Sequence, residues 1–479
     1  MFYRKNAVLA AVAGILASAG FAFADGAATQ PSSLSLTPTT ACTPADGSSS
    51  GLLMQGLDKI GAADPLKKAD INIYGWLEGG YTYSFRHGNT VAPLLPGPFN
   101  HEFGGGSFPY FSGGSRNHFM LNQLALRFER EVKSDQWDVG GMVELMYGTD
   151  SNAIHANGLS LGNETYSGKG GSDILVYNNF ADDRFNPQYQ LDIVQAYVDV
   201  NVPVGNGLKL RAGKFVSLMG YEAIDPRNNP FYSHSYLFAV MPSTFTGVVG
   251  FYKINDQWAV AGGISRGWDQ CLEDNNGAIN VIGQVSYTPD KQWSALLNFV
   301  SGPENDRDNS HYRTTIDGVL TWRATRDLKF GLEGLYVYDG GRNGYIVPPM
   351  VSLTHAYGDQ WGGYLYSAYD INSYVTANAR LGFFHNYVTN FVDNTLVTQT
   401  ISLLSGGGLI NGMSVPTVNV WDITLGVTVR PFPKDPIGKN LIVRPEVRYS
   451  FSEDPIYVES NGRTFKNQLT FGADVVFSF

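Results

Sequence analysis

From Ile71 onward the chain alternates apolar and polar positions with a period of two, in segments of roughly ten residues separated by turn chemistry. In the last segment Leu469, Phe471, Ala473, Val475, Phe477 and Phe479 share one face, and Gln468, Thr470, Gly472, Asp474 and Ser478 the other. Trp421, Ile423, Leu425, Val427 and Val429 oppose Asp422, Thr424, Gly426 and Thr428 in the same way, and Val375, Ala377, Ala379, Leu381 and Phe383 oppose Thr376, Asn378 and Arg380. Successive side chains of a strand point to opposite faces, so each segment predicts a strand with one greasy and one wet side.

The connections alternate in length. Long ones run at Arg86 to Asn117, Thr149 to Gln188, Met219 to Ser243, Trp268 to Gly277, Gly302 to His311, Asp339 to Gln360, Asn386 to Pro416 and Ser452 to Phe465. Between them lie short ones near Glu131 to Asp135, Asn201 to Asn206, Asn255-Asp256, Thr288 to Lys291, Ala324 to Asp327, Asp370 to Asn372 and Pro431 to Asn440. That alternation is expected of an all-β, transmembrane antiparallel β-barrel with long outer loops, short periplasmic turns and about sixteen strands, give or take about two, a size that leaves an aqueous channel. Arg or Lys facing lipid at the bilayer midplane costs roughly 2 to 4 kcal/mol, so the charged face must be the lumen. A secreted β-sandwich would also show short alternating strands, but it does not predict the alternation of connections.

The N-terminus carries Arg4 and Lys5, an apolar run from Ala7 to Leu16, and Ala22-Phe23-Ala24 before Asp25, the form of a cleavable signal peptide. The expected organisation is a signal over 1–24, a flexible periplasmic leader rich in Ser, Thr and Pro over 25–70, with a short amphipathic patch at Leu52 to Ile60, and a barrel over 71–479. No later run approaches the roughly 18 to 20 apolar residues that a spanning helix needs. The 55 glycines, 27 tyrosines and 28 phenylalanines, with only 16% charged residues, suit a lipid-facing sheet. Removing Arg4 and Lys5 moves the net charge from -10 to -12, which argues against nucleic acid as a partner.

No catalytic pattern stands out: there is no G-x-S-x-G elbow, H-E-x-x-H pair, C-x-x-C or phosphate-binding loop. The expectation is therefore no enzyme, although a Ser, a His and an acid could still meet at a barrel rim. The eight histidines are scattered singly, and no metal and no cofactor are expected. Glu304, Asp306, Asp308 and Asn309 form an acidic loop that lacks the Gly and distal Glu of a calcium-binding hand. Cys42 and Cys271 could pair in an oxidising compartment but need not.

A diffusion channel selects by charge and width at its narrowest point, which makes the charged lumen face the candidate site. Pore-lining candidates are Arg127, Glu129, Glu144, Asp192, Asp199, Lys209, Arg211, Lys214, Glu333, Arg380, Arg444, Glu446 and Arg448. The third long connection can fold inward, and its Glu222, Asp225 and Arg227 are candidates for a constriction. An alternative role for the lumen charges is a salt-bridge network that stiffens the wall. Phe477 and Phe479 are the expected signal to barrel-assembly machinery.

Several blocks resemble the putative β-barrel porin-2 family, the OmpL-like outer-membrane proteins. They are Ala212-Gly213-Lys214-Phe215 leading to Gly220-Tyr221-Glu222, then Tyr232-Ser233-His234-Ser235-Tyr236-Leu237-Phe238 with Pro242, and Gly267-Trp268-Asp269. Tyr287-Thr288-Pro289, Gly302-Pro303-Glu304, Arg444-Pro445-Glu446-Val447-Arg448-Tyr449 and Gln468-Leu469-Thr470-Phe471-Gly472 add to the resemblance. Arg266 departs from the family's usual Asn before Gly267, and the first loop is long and Gly-rich. The resemblance implies an outer-membrane porin-like protein and no particular substrate. Taken with the barrel and its charged lumen, the expectation is a porin-like channel in the cell outer membrane, in contact with outer-membrane lipid, for passive diffusion of small hydrophilic solutes or ions, with the homotrimer common among large porins as one arrangement. The alternative is a non-conducting barrel that serves as a surface adhesin or structural anchor.

Overall fold

The computed structural model describes residues 51–85, 119–159, 189–304, 308–342, 356–388, 418–454, 457–458 and 464–479. Its strands are β1 (Asn72–Ser84), β2 (Phe119–Arg130), β3 (Asp138–Gly148), β4 (Gln190–Val202), β5 (Leu208–Val216), β6 (Thr244–Lys253), β7 (Trp258–Ser265), β8 (Asn280–Tyr287) and β9 (Trp293–Pro303). They continue with β10 (Tyr312–Arg323), β11 (Leu328–Arg342), β12 (Ala356–Asp370), β13 (Val375–Val388), β14 (Val418–Val429), β15 (Leu441–Ser452), the two-residue strands β16 (Tyr457–Val458) and β17 (Thr464–Phe465), and β18 (Asn467–Ser478). All but β16 and β17 form one closed antiparallel barrel of 16 strands, in which each pairs with its sequence neighbours. Closure joins β1 to β18 with Trp76 opposite Ser478 and Ser84 opposite Thr470. Phe479 adds a last rung, exchanging both backbone hydrogen bonds with Gly75 at 2.9 Å.

The two faces sort as the alternation requires. Ile423, Leu425, Leu381 and Val475 are exposed outward, while Asp422, Thr424, Arg380 and Asp474 are buried inward. Aromatic residues gather in two outward belts. Near the short turns Trp258 stacks on Tyr287, and Trp322 on Trp293 and Phe330. Toward the long loops Trp361, Phe383, Trp421 and Phe451 form a ladder across β12 to β15. Amphipathic rings favour the two interfaces of a bilayer, so the belts mark its edges.

Asx-type turns close several short connections. Asn255 accepts from the backbone N–H of Gln257 and Trp258, Asp290 from Gln292 and Trp293, and Asn372 from Tyr374 and Val375. Two bulges re-aim side chains. The register shift at Glu78/Gly79 leaves Asn122 as the extra residue on β2, and both Asn122 and Gln123 turn inward. The shift at Glu144/Leu145 does the same for Val194 and Gln195 on β4.

One expected loop is shorter than its composition suggested. The segment read as loop from Asp339 contains the ends of β11 and β12, paired as Asp339 with Gly358 and Arg342 with Ala356, because a Gly-rich, polar stretch can still complete a ladder through its backbone. Residues 25–50 lie outside the described residues. Beyond them, Leu52–Lys59 and Asp64–Lys68 are helices. The second ends against the barrel: Arg130 Nε donates to Ala69 O at 3.1 Å, and Lys133 pairs with Asp70 at 3.0 Å.

Candidate functional site

The barrel interior is organised by residues 217–243, the connection between β5 and β6. An irregular segment inside a barrel carries backbone N–H and C=O groups with no ladder to join, and each must find a partner or be destabilising. The lumen face supplies those partners. On one side Gln123 of β2 donates to Ile224 O at 2.9 Å and Arg127 reaches Asp225 at 3.2 Å. On the other, Asp317 of β10 accepts from Gly220 N at 2.8 Å and Gln284 of β8 donates to Leu218 O at 3.0 Å. In the strand order β2 and β10 are half the ring apart, so the loop crosses the lumen.

A third wall holds the middle of the segment. Arg444 Nη1 donates to Pro226 O at 2.6 Å and Asn229 O at 2.7 Å. Glu446 accepts from Tyr232 N and Ser233 N at 2.9 and 3.2 Å, and Arg448 Nη1 donates to His234 O at 2.6 Å. Arg380 Nη1 donates both to Ser233 O at 2.6 Å and to Glu222 at 2.8 Å. Glu222 also accepts from Ser235 N at 2.7 Å and contacts His234 at 3.2 Å. Burial alone would raise the Glu222 carboxyl, but the Arg380 guanidinium and the His234 bond outweigh it and hold it at about 2. Asp225 follows the same logic: burial is overridden by Arg227 and Arg127, and the carboxyl is held at about 2. A second long connection touches this segment, through Tyr457 OH and Tyr236 OH 3.0 Å apart.

Aromatic side chains of the loop sit on glycines of the wall. A Cβ built on Gly80 would lie 2.4 Å from the Tyr232 ring, and one on Gly331 would lie 2.2 Å from Tyr221. Only a residue without a side chain lets those rings approach the strand so closely.

The sequence-derived candidates fall into two groups. Arg380, Arg444, Glu446, Arg448 and Glu333 are buried under the loop, Glu333 accepting from Tyr366 OH at 3.2 Å, and the loop's own Glu222 and Asp225 are buried against the wall. Lys214 and Asp192 are buried against each other at 3.4 Å, and Glu144 beneath Arg127 at 2.7 Å. The second group keeps contact with solvent. Side-chain exposure is 35% for Lys209, 25% for Arg227 and 15% for Arg127. Beside them Arg211 is buried and forks onto buried Asp199 at 2.8 and 2.9 Å, and half-buried Glu129 accepts from Tyr74 OH at 2.6 Å. Aromatic rings back this group: Arg127 and Arg227 lie 4.5 and 4.3 Å from the Trp76 ring, Arg211 lies 3.6 Å from Tyr197, and Lys209 lies 4.9 Å from Phe251.

The structure adds partners that the candidate set lacked, namely Glu78 and Asp474 on Arg444 and Asp422 on Arg448. Each is an inward acid on an alternating strand, which was the available signal. Outward of the barrel ends, burial pushes Glu304 up to about 8 and Asp269 up to about 6. Glu304 accepts from Trp268 N and Asn280, and Asp308 contacts His311 at 2.6 Å, while Asp306 lies outside the described residues. Cys271 is a buried free thiol, and Cys42 lies outside the described residues. Among the described residues no group of three or more His, Cys, Asp and Glu side chains is placed to hold a metal.

A closed barrel of this size, greasy outside, charged inside and crossed by its third long loop, defines an outer-membrane barrel of the porin class. The chain belongs to the family described as "Putative beta-barrel porin-2, OmpL-like", which matches residues 70–479. Among solved structures it is similar to the outer membrane channel DcaP of Acinetobacter baumannii, at 13% identity and TM-score 0.47 over 85% of this chain and 97% of that one. OprB of Pseudomonas putida gives 10% and 0.47 over 88% and 97%. An anion-selective porin from Comamonas acidovorans gives 9% and 0.46 over 85% and 99%. At that level the likeness adds nothing to the family assignment. No curated protein matches the chain.

Proposed function

We propose that the barrel conducts small hydrophilic solutes or ions by passive diffusion, along the side of the lumen formed by β1 to β6. The observation that carries this reading is the division of the lumen charges. Those of β13 to β15 are consumed in holding residues 217–243, whereas Lys209 and Arg127 of the other wall, and Arg227 of the loop facing it, keep solvent access. Of their counter-charges Asp199, Asp225 and Glu144 are buried beneath them and Glu129 is half-buried alongside, so a permeating solute meets the cationic groups first, over aromatic rings. Transport of this kind uses no cofactor and no catalytic residue.

Export through cleavage after Ala24, recognition of Phe477 and Phe479 by assembly machinery, and a homotrimer in the outer membrane belong to the same proposal. The Phe479 ring lies against Gly75, and Phe477 faces outward opposite Leu77, which leaves the last strand's greasy face available before closure. The test is single-channel current after reconstitution of the refolded protein into a planar bilayer under a salt gradient. Stable conductance steps support the channel. A second reading, a non-conducting anchor or adhesin, draws on the loop that crosses the lumen, and folded protein that inserts without conducting would establish it instead.

A further inference from the structure

The two signs of charge on the β1 to β6 side differ in access. The side chains of Asp199, Asp225 and Glu144 are 8, 6 and 0% exposed, and cations cover their oxygens. Asp225 Oδ1 accepts from Arg227 N and Nε, and its Oδ2 from Arg227 Nη2 and Arg127 Nη1. Asp199 takes Nε and Nη2 of Arg211 on its two oxygens, and Glu144 Oε2 takes Arg127 Nε and Gln195 Nε2. A small cation in the lumen therefore finds these carboxylates occupied. Glu129 is half-buried and accepts from Tyr74 OH, but it lies nearer the short turn than Arg127, so at the level of Trp76 the acids are buried and the guanidinium edges open.

The cations are built to present an edge. Arg227 and Arg211 each fork Nε and Nη2 onto an acid, which turns Nη1 away from it. Lys209 Nζ lies 3.9 Å from Asp199, beyond hydrogen-bond reach, and Lys209 is the most exposed of the four. Rings fix their positions independently of the acids. Arg127 and Arg227 share Trp76, with Tyr74 at 6.0 and 5.6 Å, while Arg211 and Lys209 share Phe251 at 5.4 and 4.9 Å. A guanidinium held against a ring keeps its N–H edge for a ligand. The two pairs are continuous: Tyr74 stands opposite Arg127, and Glu129, Met142 and Tyr197 form one row of the ladder, with Arg211 3.6 Å over Tyr197. Lys209 ends the series, at the second residue of β5 after a short turn.

We propose, resting on the conduction reading above, that the solutes this barrel passes are small oxyanions with carboxylate or phosphate heads, held at Arg127 and Arg227 beside Trp76 and handed along Arg211 to Lys209. The planar guanidinium matches the paired oxygens of such a head, whereas the Lys209 ammonium acts as a point charge at the end of the path. Burying the acids under the cations keeps the wall neutral enough to fold and shows the lumen one sign. The four cations come from β2, from β5 and from the loop, so no run of basic residues in the chain announces them.

The test uses the full chain in a planar bilayer, first under a potassium chloride gradient and then with acetate or inorganic phosphate added to a chloride bath. The reversal potential should favour chloride over potassium by about threefold or more, and Arg227→Gln and Lys209→Gln should each bring that ratio about twofold closer to one. Acetate, phosphate or both should lower the chloride current in a saturable way, and whichever does so identifies the head group. Arg227→Lys keeps the charge and loses the fork, so it should leave the reversal potential in place while weakening that block about fivefold or more. A conducting channel that prefers potassium or neither ion, or a chloride preference that neither Gln variant moves, overturns the anion assignment and leaves the conduction reading standing. Folded protein that inserts and carries no current overturns both.

Discussion

Replacing Arg444 by Met keeps most of the aliphatic stem and removes the guanidinium that binds the loop at two carbonyls. Those two charge-assisted hydrogen bonds, to Pro226 O and Asn229 O, are each worth about 1.5 to 3 kcal/mol. The substitution also orphans Asp474 and Glu78, and breaking a buried pair costs about 3 to 5 kcal/mol. The double variant Arg444→Met/Asp474→Asn removes much of that second effect and isolates the loop contribution, about 3 kcal/mol or somewhat more. At roughly 1.4 kcal/mol per decade this raises the open population of the loop by about a hundredfold. Amide hydrogen exchange by mass spectrometry reads that population directly, at the N–H groups of Tyr232, Ser233 and Ser235, which are bonded to Glu446 and Glu222. Exchange over the peptide containing these residues should accelerate by about two orders of magnitude in the double variant, while strands far from the loop stay protected. Unchanged exchange in a folded double variant would refute the view that β15 holds the loop in place.

Lys209→Glu and Arg227→Glu should each shift the reversal potential toward cations, changing the ion permeability ratio about fivefold, as expected for roughly 1 kcal/mol between charges near 4 Å in water. Arg448→Gln should leave the reversal potential nearly unmoved, and a shift there equal to that of Lys209→Glu would dissolve the division between the two walls. Gly80→Val forces Tyr232 off its seat and should destabilise the loop by about 1 to 3 kcal/mol, read as larger or noisier single-channel conductance; a wild-type trace would reject that seat. Glu304 carries a folded value of about 8, above its unfolded value of about 4.5, so its contribution to stability is complete below about 4.5 and is lost as pH rises through about 8. Thermal unfolding of the wild type should therefore weaken between those limits, and Glu304→Gln should flatten that part of the curve. Parallel curves for the two proteins would contradict the burial argument.

Most of the barrel was legible because its physics is local. Alternation, turn chemistry and the parity of connections follow from neighbouring residues, and they placed every barrel strand within a few residues, except where β11 and β12 run past Asp339. The length of residues 219–243 and their place in the chain also pointed inward. What the loop does to the wall was not legible: the Arg444 bonds to Pro226 and Asn229 join residues more than two hundred positions apart, and nothing in a strand's period tells a solvated Arg from one beneath a loop. The seats at Gly80 and Gly331 were equally silent, since an inward glycine in a wet strand has no local signature.

The placement of charge on β15 has a reason that the pore alone does not supply. Inward positions recur every second residue, so Arg444, Glu446 and Arg448 face the lumen in the order donor, acceptor, donor. The loop opposite presents carbonyls at Pro226 and Asn229, then N–H groups at Tyr232 and Ser233, then the carbonyl of His234. The strand's charges thus complement the polarity of an irregular backbone read in sequence. A flat apolar wall could bury the loop's side chains but would leave these backbone groups unsatisfied. This predicts that the sign of each residue matters more than its volume: exchanging Glu446 for Gln should be tolerated better than exchanging it for Lys, whose ammonium would face the two N–H groups of Tyr232 and Ser233.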